Sequence, residues 1–286
     1  MKHIKFFLVF ILFVFFTNYS FAQQSVFQPG DYKDAIYEKE NAVNRRYIPY
    51  TFLREGDVTW EKRVWRRLDM REKMNQPLYY PRGAVEGRIS LPQLVIKYIL
   101  SGQIIAFKDE EFKEYYFKEA ISSKLVIQGD STEVEKFAED GSPYNVKVAG
   151  SIDSTWFFEL FSSLSIKEDW FFDKQKSKLE VRILGLGFYA PLKGKEDLGE
   201  TDVFWVYFPA CRPFFAKHEV FNTKNDSERR TFEDIFWKRQ FASNVTKETN
   251  VYNRRIDEYA KGIEALLESD RVKSDIFRFE HDLWQF

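Results

Sequence analysis

Apolar and aromatic residues run along this chain in short bursts, separated by charged or turn-forming stretches. Asp57 is a suitable helix N-cap, and Trp60, Val64, Leu68 and Arg71 repeat behind it at helical spacing; this predicts a helix to Lys73 or Met74, before Pro77. Ser90 and Pro92 predict a second start, with Leu94, Val95, Tyr98 and Ile99 on one apolar face that stops at Gly102. Asp109 reads as the cap of a third helix carrying Phe112, Tyr115, Tyr116 and Ala120. Trp156, Phe157, Leu160, Phe161 and Leu164 predict a short, very apolar one. Strands are expected at Gln103–Phe107 and Leu125–Gln128. Stronger ones are expected at Lys178–Tyr189, with Leu179, Val181 and Ile183 on one face, and at Asp202–Pro209. Asp130–Pro143 is acidic and turn-rich, and reads as an exposed excursion. From Thr231 the pattern is helical again, through Phe232, Ile235 and Phe236 and then Tyr252, Ile256, Tyr259, Ile263 and Leu266. Asn222–Arg229 and Phe241–Asn250 are the polar connections.

Helices come first, strands are few and clustered later, and neither βαβ alternation nor an internal repeat is present. This predicts an α+β fold, with helix-rich N-terminal and C-terminal parts around a small, mainly antiparallel sheet. The expected organisation is a signal peptide over 1–22, an N-terminal arm over 23–56, an α+β core over 57–221 and a helical region over 222–286 packing on the core. Within the arm, Tyr47–Phe52 is aromatic and extended, because Pro49 keeps its predecessor out of the helical region.

The leader assignment rests on Lys2, His3 and Lys5 ahead of an unbroken apolar run of 11 residues, Phe6 to Phe16, followed by Ser20-Phe21-Ala22, the small-x-small pattern of a cleavage site. Eleven residues are too few to cross a hydrocarbon core about 30 Å thick. Cleavage after Ala22 gives a chain exported to the periplasm or beyond, and no cysteine at that point invites a lipid. The chain has 286 residues, with 43 basic and 44 acidic side chains and a net charge of −1, so there is no general attraction to nucleic acid or anionic lipid. Aromatic residues reach 18%, a content that suits cores and protein interfaces alike.

Candidate chemistry is sparse. Gly185-Leu-Gly187-Phe-Tyr-Ala190 has a dinucleotide-like spacing, but Pro191 and Gly194 follow where a helix should start, so glycines at a strand bend are the ordinary reading. No phosphate loop and no Gly-x-Ser-x-Gly are present. His218 and His281 are the only histidines past the leader, and one cysteine, Cys211, excludes an internal disulfide. Arg212 beside Cys211 could lower its pKa; a buried small hydrophobe is the stronger reading, and pairing with another chain is the third. The carboxylate pairs Glu110/Glu111, Glu139/Asp140 and Glu168/Asp169 sit in polar runs. A glycoside hydrolase would need two of these acids to converge on a cleft. No cofactor and no metal site is expected.

Charge and aromatics concentrate between Asn41 and Arg88, where 11 basic residues face six acids. Arginine beside Tyr and Trp is the composition of interface anchors. The candidate protein-contact residues are Arg45, Arg46, Tyr47, Tyr50, Trp60, Trp65, Arg66, Arg67 and Arg71. The competing reading of Trp60 and Trp65 is core, and that of the charges is a solvated face with local salt bridges. A basic part and an acidic remainder can associate head to tail, and such contacts can close into rings.

The run Glu40-Asn-Ala-Val-Asn-Arg-Arg-Tyr-Ile-Pro-Tyr-Thr-Phe-Leu-Arg54, continuing through Asp57-Val-Thr-Trp60 and Lys62-Arg-Val-Trp65-Arg, resembles the GldN/PorN family of gliding-motility proteins. So does Asp69-Met-Arg71-Glu-Lys-Met-Asn75-Gln-Pro77-Leu-Tyr-Tyr-Pro81. The resemblance covers essentially the whole chain. It implies a structural, non-enzymatic subunit of the type IX protein secretion and gliding machinery in the periplasm. Such a subunit would assemble with a GldK/PorK-like lipoprotein, and with copies of itself, into a large ring on the inner face of the outer membrane. Contacts with other secretion components are possible partners, while nucleic acid and direct membrane insertion are not implied. The alternative is a periplasmic cell-wall glycan hydrolase or glycan-binding module.

Overall fold

The computed structural model describes residues 45–85, 87–117, 161–191, 199–222, 225 and 227–283, and the backbone of 132–137 and 143–148. The signal peptide, the arm before residue 45, Leu125–Gln128, and Ala120, Trp156, Phe157 and Leu160 lie outside the described residues. In chain order the strands are β1 (Val58–Asp69), β2 (Ala106–Phe107), β3 (Thr132–Phe137), β4 (Pro143–Val148), β5 (Ser163–Asp173), β6 (Lys178–Pro191), β7 (Glu200–Tyr207), β8 (Glu219–Val220), β9 (Arg230–Thr231) and β10 (Asn244–Glu248). The helices among the described residues are α1 (Gln76–Tyr79), α2 (Leu91–Leu100), α3 (Phe208–Phe215), α4 (Phe232–Trp237), α5 (Ile256–Tyr259) and α6 (Ile263–Leu283).

The expectation of a helix-rich fold around a small sheet is overturned. The centre is a six-stranded antiparallel sheet in the order β10-β1-β5-β6-β7-β2. The error begins at β1, where a helix was expected and a 12-residue strand is found. Trp60, Val64 and Leu68 are four apart, a spacing that fits one helical turn and equally two strand repeats. Tertiary pairing decides between them. β1 pairs along its length with β5, from Val58 opposite Asp173 to Asp69 opposite Ser163, and β-branched and aromatic residues suit that pleated, half-buried setting. β10 forms the outer edge inside a stretch expected to be a polar connection, and β3 and β4 make a hairpin within the expected acidic excursion and just after it.

Other elements follow their local chemistry. α2 starts where Ser90 donates its N–H to the Gln93 side chain at 3.2 Å and ends before Gly102, whose φ of 77° is the left-handed turn that glycine tolerates. α4 is capped reciprocally: Thr231 Oγ1 accepts from the Asp234 N–H at 3.2 Å and Asp234 Oδ2 accepts from the Thr231 N–H at 3.0 Å. β7 stops at Tyr207, short of the expected Pro209, because that proline sits in the first turn of α3. Asp109 does not begin a helix. Its Oδ1 accepts from the N–H groups of Glu111 (3.0 Å) and Lys113 (3.3 Å), so the side chain closes a turn and the segment stays a loop. The apolar helix expected over Trp156–Leu164 is also corrected at its described end, since Leu164 lies in β5.

Leu68, Leu164, Ile166, Leu186, Phe188, Phe204 and Val206 from the sheet pack with α2, α3 and α4 into the main core, where the Phe188 and Phe204 rings stack at 4.8 Å. Val64 and Val245 form a second cluster with Ile256, Val272 and Ile276, so α6 lies against the β1–β10 end. A third cluster joins Trp65, Tyr189 and Trp205, with Phe107 and Phe112 packed on it. Here the two glycines of β6 find their reason. A Cβ on Gly185 would stand 2.4 Å from the Phe112 ring, and one on Gly187 would stand 2.6 Å from the Trp205 indole. They are seats for aromatic rings. Gly187→Ala is therefore expected to cost about 1–3 kcal/mol through overpacking against the buried Trp205, read as a lower urea midpoint.

Candidate functional site

The nine candidate contact residues divide by position. Four face solvent: Arg45, Arg46, Tyr47 and Arg71. Arg71 closes locally on Asp69 with bonds of 2.9 and 3.1 Å, and Arg45 reaches Asp234 at 3.0 Å and the Arg229 carbonyl at 3.1 Å. The other five make contacts inside the chain. Trp60 stacks on Phe279 of α6 at 4.3 Å between ring centres. Trp65 is buried, with Lys247 Nζ 4.5 Å from its ring centre. Arg67 pairs with Glu200 and lies 4.3 Å over the Tyr189 ring.

Arg66 enters a buried ion cluster on the opposite side of β1. Its Nε bonds Glu168, a fully buried carboxylate that also receives Trp170 Nε1 at 2.8 Å and sits 2.8 Å from Arg239. Burial alone would raise the Glu168 carboxyl, but the Arg66 and Arg239 charges outweigh it and hold it below the usual carboxylate range. The neighbouring Asp169 receives Arg63 in a two-point bond of 2.6 and 2.8 Å. Of the three carboxylate pairs found in the sequence, Glu168/Asp169 thus serves three arginines, Arg66 and Arg239 on Glu168 and Arg63 on Asp169. Glu110 takes Lys247 at 3.4 Å, and its carbonyl takes Lys167 at 2.6 Å. Glu139/Asp140 lies outside the described residues.

Tyr50 belongs to a cation box formed with Arg212, Trp237 and Tyr47. Residues 45–54 run as an extended strap over the α3–α4 end of the sheet. Arg212, 1% exposed, donates Nη2 to the Ile48 carbonyl at 2.6 Å, and bonds Glu233 Oε1 through Nη2 (2.6 Å) and Nε (2.8 Å). The Tyr50 ring centre lies 4.1 Å from its guanidinium carbon, Trp237 5.0 Å and Tyr47 5.1 Å. Arg182 makes the second clasp, reaching the Thr51 carbonyl at 2.8 Å and lying 5.1 Å from the Tyr50 ring. Between the strap, β6 and Trp237 a cleft of about 350 Å³ remains, bordered by Lys176, Arg182 and Arg239. The one signal available beforehand was an arginine set inside the apolar run Phe208-Pro-Ala-Cys-Arg-Pro-Phe-Phe215, a charge that needs an internal partner once folded.

The candidate reactive groups are quiet. Cys211 is buried, donates Sγ to the Tyr207 carbonyl at 3.4 Å, and burial pushes its thiol up to about 12. Arg212 points its charge at Glu233 instead, so the thiolate reading fails. Cys211 is expected to ignore a disulfide-exchange reagent at pH 8 in the native chain and to react fully in denaturant; rapid native labelling would contradict this burial. His218 Nδ1 lies 2.9 Å from the Phe214 carbonyl, and burial lowers its pKa. Among the described residues no group of three His, Cys, Asp or Glu side chains could hold a metal ion, and no helix is long and apolar enough to cross a membrane.

Charges and rings lock the sheet from inside, while apolar side chains of the strap and of α6 stand in solvent. The family described as gliding motility associated protein GldN matches residues 53–285, and the chain belongs to that family. It is a gliding-motility and type IX secretion component. No curated protein matches the chain.

Proposed function

We propose that this chain is a structural periplasmic subunit that assembles with a GldK/PorK-like lipoprotein, and with further copies of itself, into a ring beneath the outer membrane. Besides the family membership, the observation that carries this reading is the apolar surface the fold leaves uncovered. Phe52 is 89% exposed and Val251 97%, with Tyr252, Ile263, Leu267 and Phe277 also in solvent. Exposed aromatic and aliphatic side chains of this number mark contact surfaces. Arg45, Arg46, Tyr47 and Arg71 belong to the contact set on this reading, while Trp60, Trp65, Arg66 and Arg67 support it from inside. Attachment to the membrane comes through the lipoprotein, and the basic, apolar and small-x-small leader directs export with cleavage after Ala22.

Co-purification with the lipoprotein tests the proposal. The expected result is a stable complex of many copies in size-exclusion chromatography and a mature N-terminus at Gln23. A chain that stays monomeric beside the lipoprotein and degrades cell-wall glycan would return the hydrolase reading to first place.

A further inference from the structure

α6 carries two apolar faces. At about 100° per residue, Ser269, Val272 and Ile276 fall on the side that packs against β10 and β1, and all three are buried. Ile263, Leu266, Leu267 and Phe277 fall within about 100° of arc on the other side, and all four are exposed. A surface helix normally buries its single apolar stripe and turns charge outward. Here the outward stripe is apolar, interrupted by Asp270, in a helix with six acids and three bases.

The strap has the opposite character. Arg45 to Arg54 holds three arginines and no acid. Its Ile48 is 64% exposed, Phe52 stands almost fully in solvent, and Arg46 and Arg54 are exposed beside them. Its inward contacts are already taken: Arg212 and Arg182 hold the Ile48 and Thr51 carbonyls, and Tyr50 fills the box between Arg212 and Trp237. The strap is thus a fixed, basic, apolar surface, and the outer side of α6 an apolar one in a helix with an excess of acids, where Asp270 is held by Lys273 at 3.1 Å until a stronger cation displaces it.

We infer that the outer stripe of α6 on one copy receives the strap of the next copy, Ile48 and Phe52 entering between Leu266, Leu267 and Phe277, with Arg46 and Arg54 facing Glu264 and Asp270. This rests on the self-association proposed above and names the two surfaces that make it. The contact joins unlike patches, so each added copy presents a fresh strap and a fresh helix, and the series ends only by closing on itself. Opposite charge sets the partner and the direction, while the apolar side chains supply the burial.

Two variants of the full chain test it, one with Ile48→Asp and Phe52→Asp, the other with Leu266→Asp and Leu267→Asp. All four positions are solvent-facing, and circular dichroism with urea midpoints checks that both variants are folded. A second pair, Arg46→Glu with Arg54→Glu and Glu264→Lys with Asp270→Lys, repeats the test through charge alone. Sedimentation velocity is run on each, alone and with the lipoprotein. Each variant by itself should lose self-association by at least tenfold. The equimolar mixture of the two Asp-substituted variants should recover one step and stop at a dimer, because each retains the surface the other lacks, whereas the two charge-reversed variants, complementary at both contacts, should assemble beyond the dimer when mixed.

A mixture that stays monomeric overturns the pairing. So does a strap variant that assembles like the unaltered chain while the helix variant does not, which would make the contact α6 to α6. Loss of lipoprotein binding with copy-to-copy association intact assigns the stripe to the lipoprotein and overturns it equally. If the unaltered chain never self-associates in either condition, the ring reading itself falls, an outcome separate from all of these.

Discussion

Glu168→Ala should lower stability by about 3–5 kcal/mol, the usual effect of removing one partner from a buried ion cluster. For a chain of this size that is a fall of about 6–20 °C in Tm. The reason is what remains: Arg66 is buried and Arg239 partly so, and without the carboxylate their charges have no counter-ion, while the Trp170 N–H loses its acceptor. Glu168→Gln keeps the shape and the Trp170 bond but not the charge, and is expected to fall between. The cluster also sets an acid limit. The folded carboxyl of Glu168 lies below its value in the unfolded chain. Its contribution is therefore complete above the ordinary carboxylate range and is lost as acidification below about pH 5 carries the solution through the folded value. Urea midpoints between pH 7 and pH 4 should fall less steeply in Glu168→Gln than in the unaltered chain. Equal slopes would show that other carboxylates dominate.

Arg212→Ala is the second large effect, and it reaches the proposed contact surface. It removes the charge facing Glu233 and the donor to the Ile48 carbonyl, and it empties the centre of the Tyr50–Trp237 box. About 3–5 kcal/mol is expected again, together with faster chymotryptic cleavage after Tyr50. Arg212→Lys should recover only part of this, because a single ammonium cannot reach Glu233 and the strap carbonyl while lying flat against two rings. Glu233 modifies the result with pH. Burial raises its carboxyl even with Arg212 beside it, and its second oxygen is buried with no partner. Without Arg212 its folded value rises further above the unfolded one, so protonation favours the folded state as pH falls. The deficit of Arg212→Ala should therefore be smaller at pH 5 than at pH 8. A deficit independent of pH would show that Glu233 is not the group left exposed to the loss.

Where local chemistry and tertiary environment agree, the sequence is legible. Ser90 with Pro92, Thr231 ahead of Phe232, Ile235 and Phe236, and the alternation of Leu179, Val181 and Ile183 each mark an element that is present. β1 was misread because a repeat of four satisfies two periods at once, and only its pairing with β5 and β10 selects the strand. Asp109 is ambiguous in sequence because a side chain that caps a helix also closes a turn, and here it closes one, with Phe112 packed against Gly185. The candidate contact residues show the same divide. Arginine beside tryptophan marks either an interface or an internal ion cluster, and Glu168, about a hundred residues away, decides for Arg66. Arg212 and Glu233 follow no regular spacing, since they meet each other across 21 residues and the other partners of Arg212 are a backbone carbonyl and ring faces.

The position of β1 bears on when this chain can fold. It is the first strand among the described residues, yet it lies between two made much later: Arg66 meets Glu168 across 102 residues, and the Trp65 carbonyl meets Thr246 across 181. Sheets closed by such distant pairings form slowly, on the scale of milliseconds to seconds, because chain entropy is lost before the contacts return it. The N-terminal strand therefore has no neighbour until β5 is made, and its second edge stays open until β10, within forty-five residues of the end of the chain, has followed.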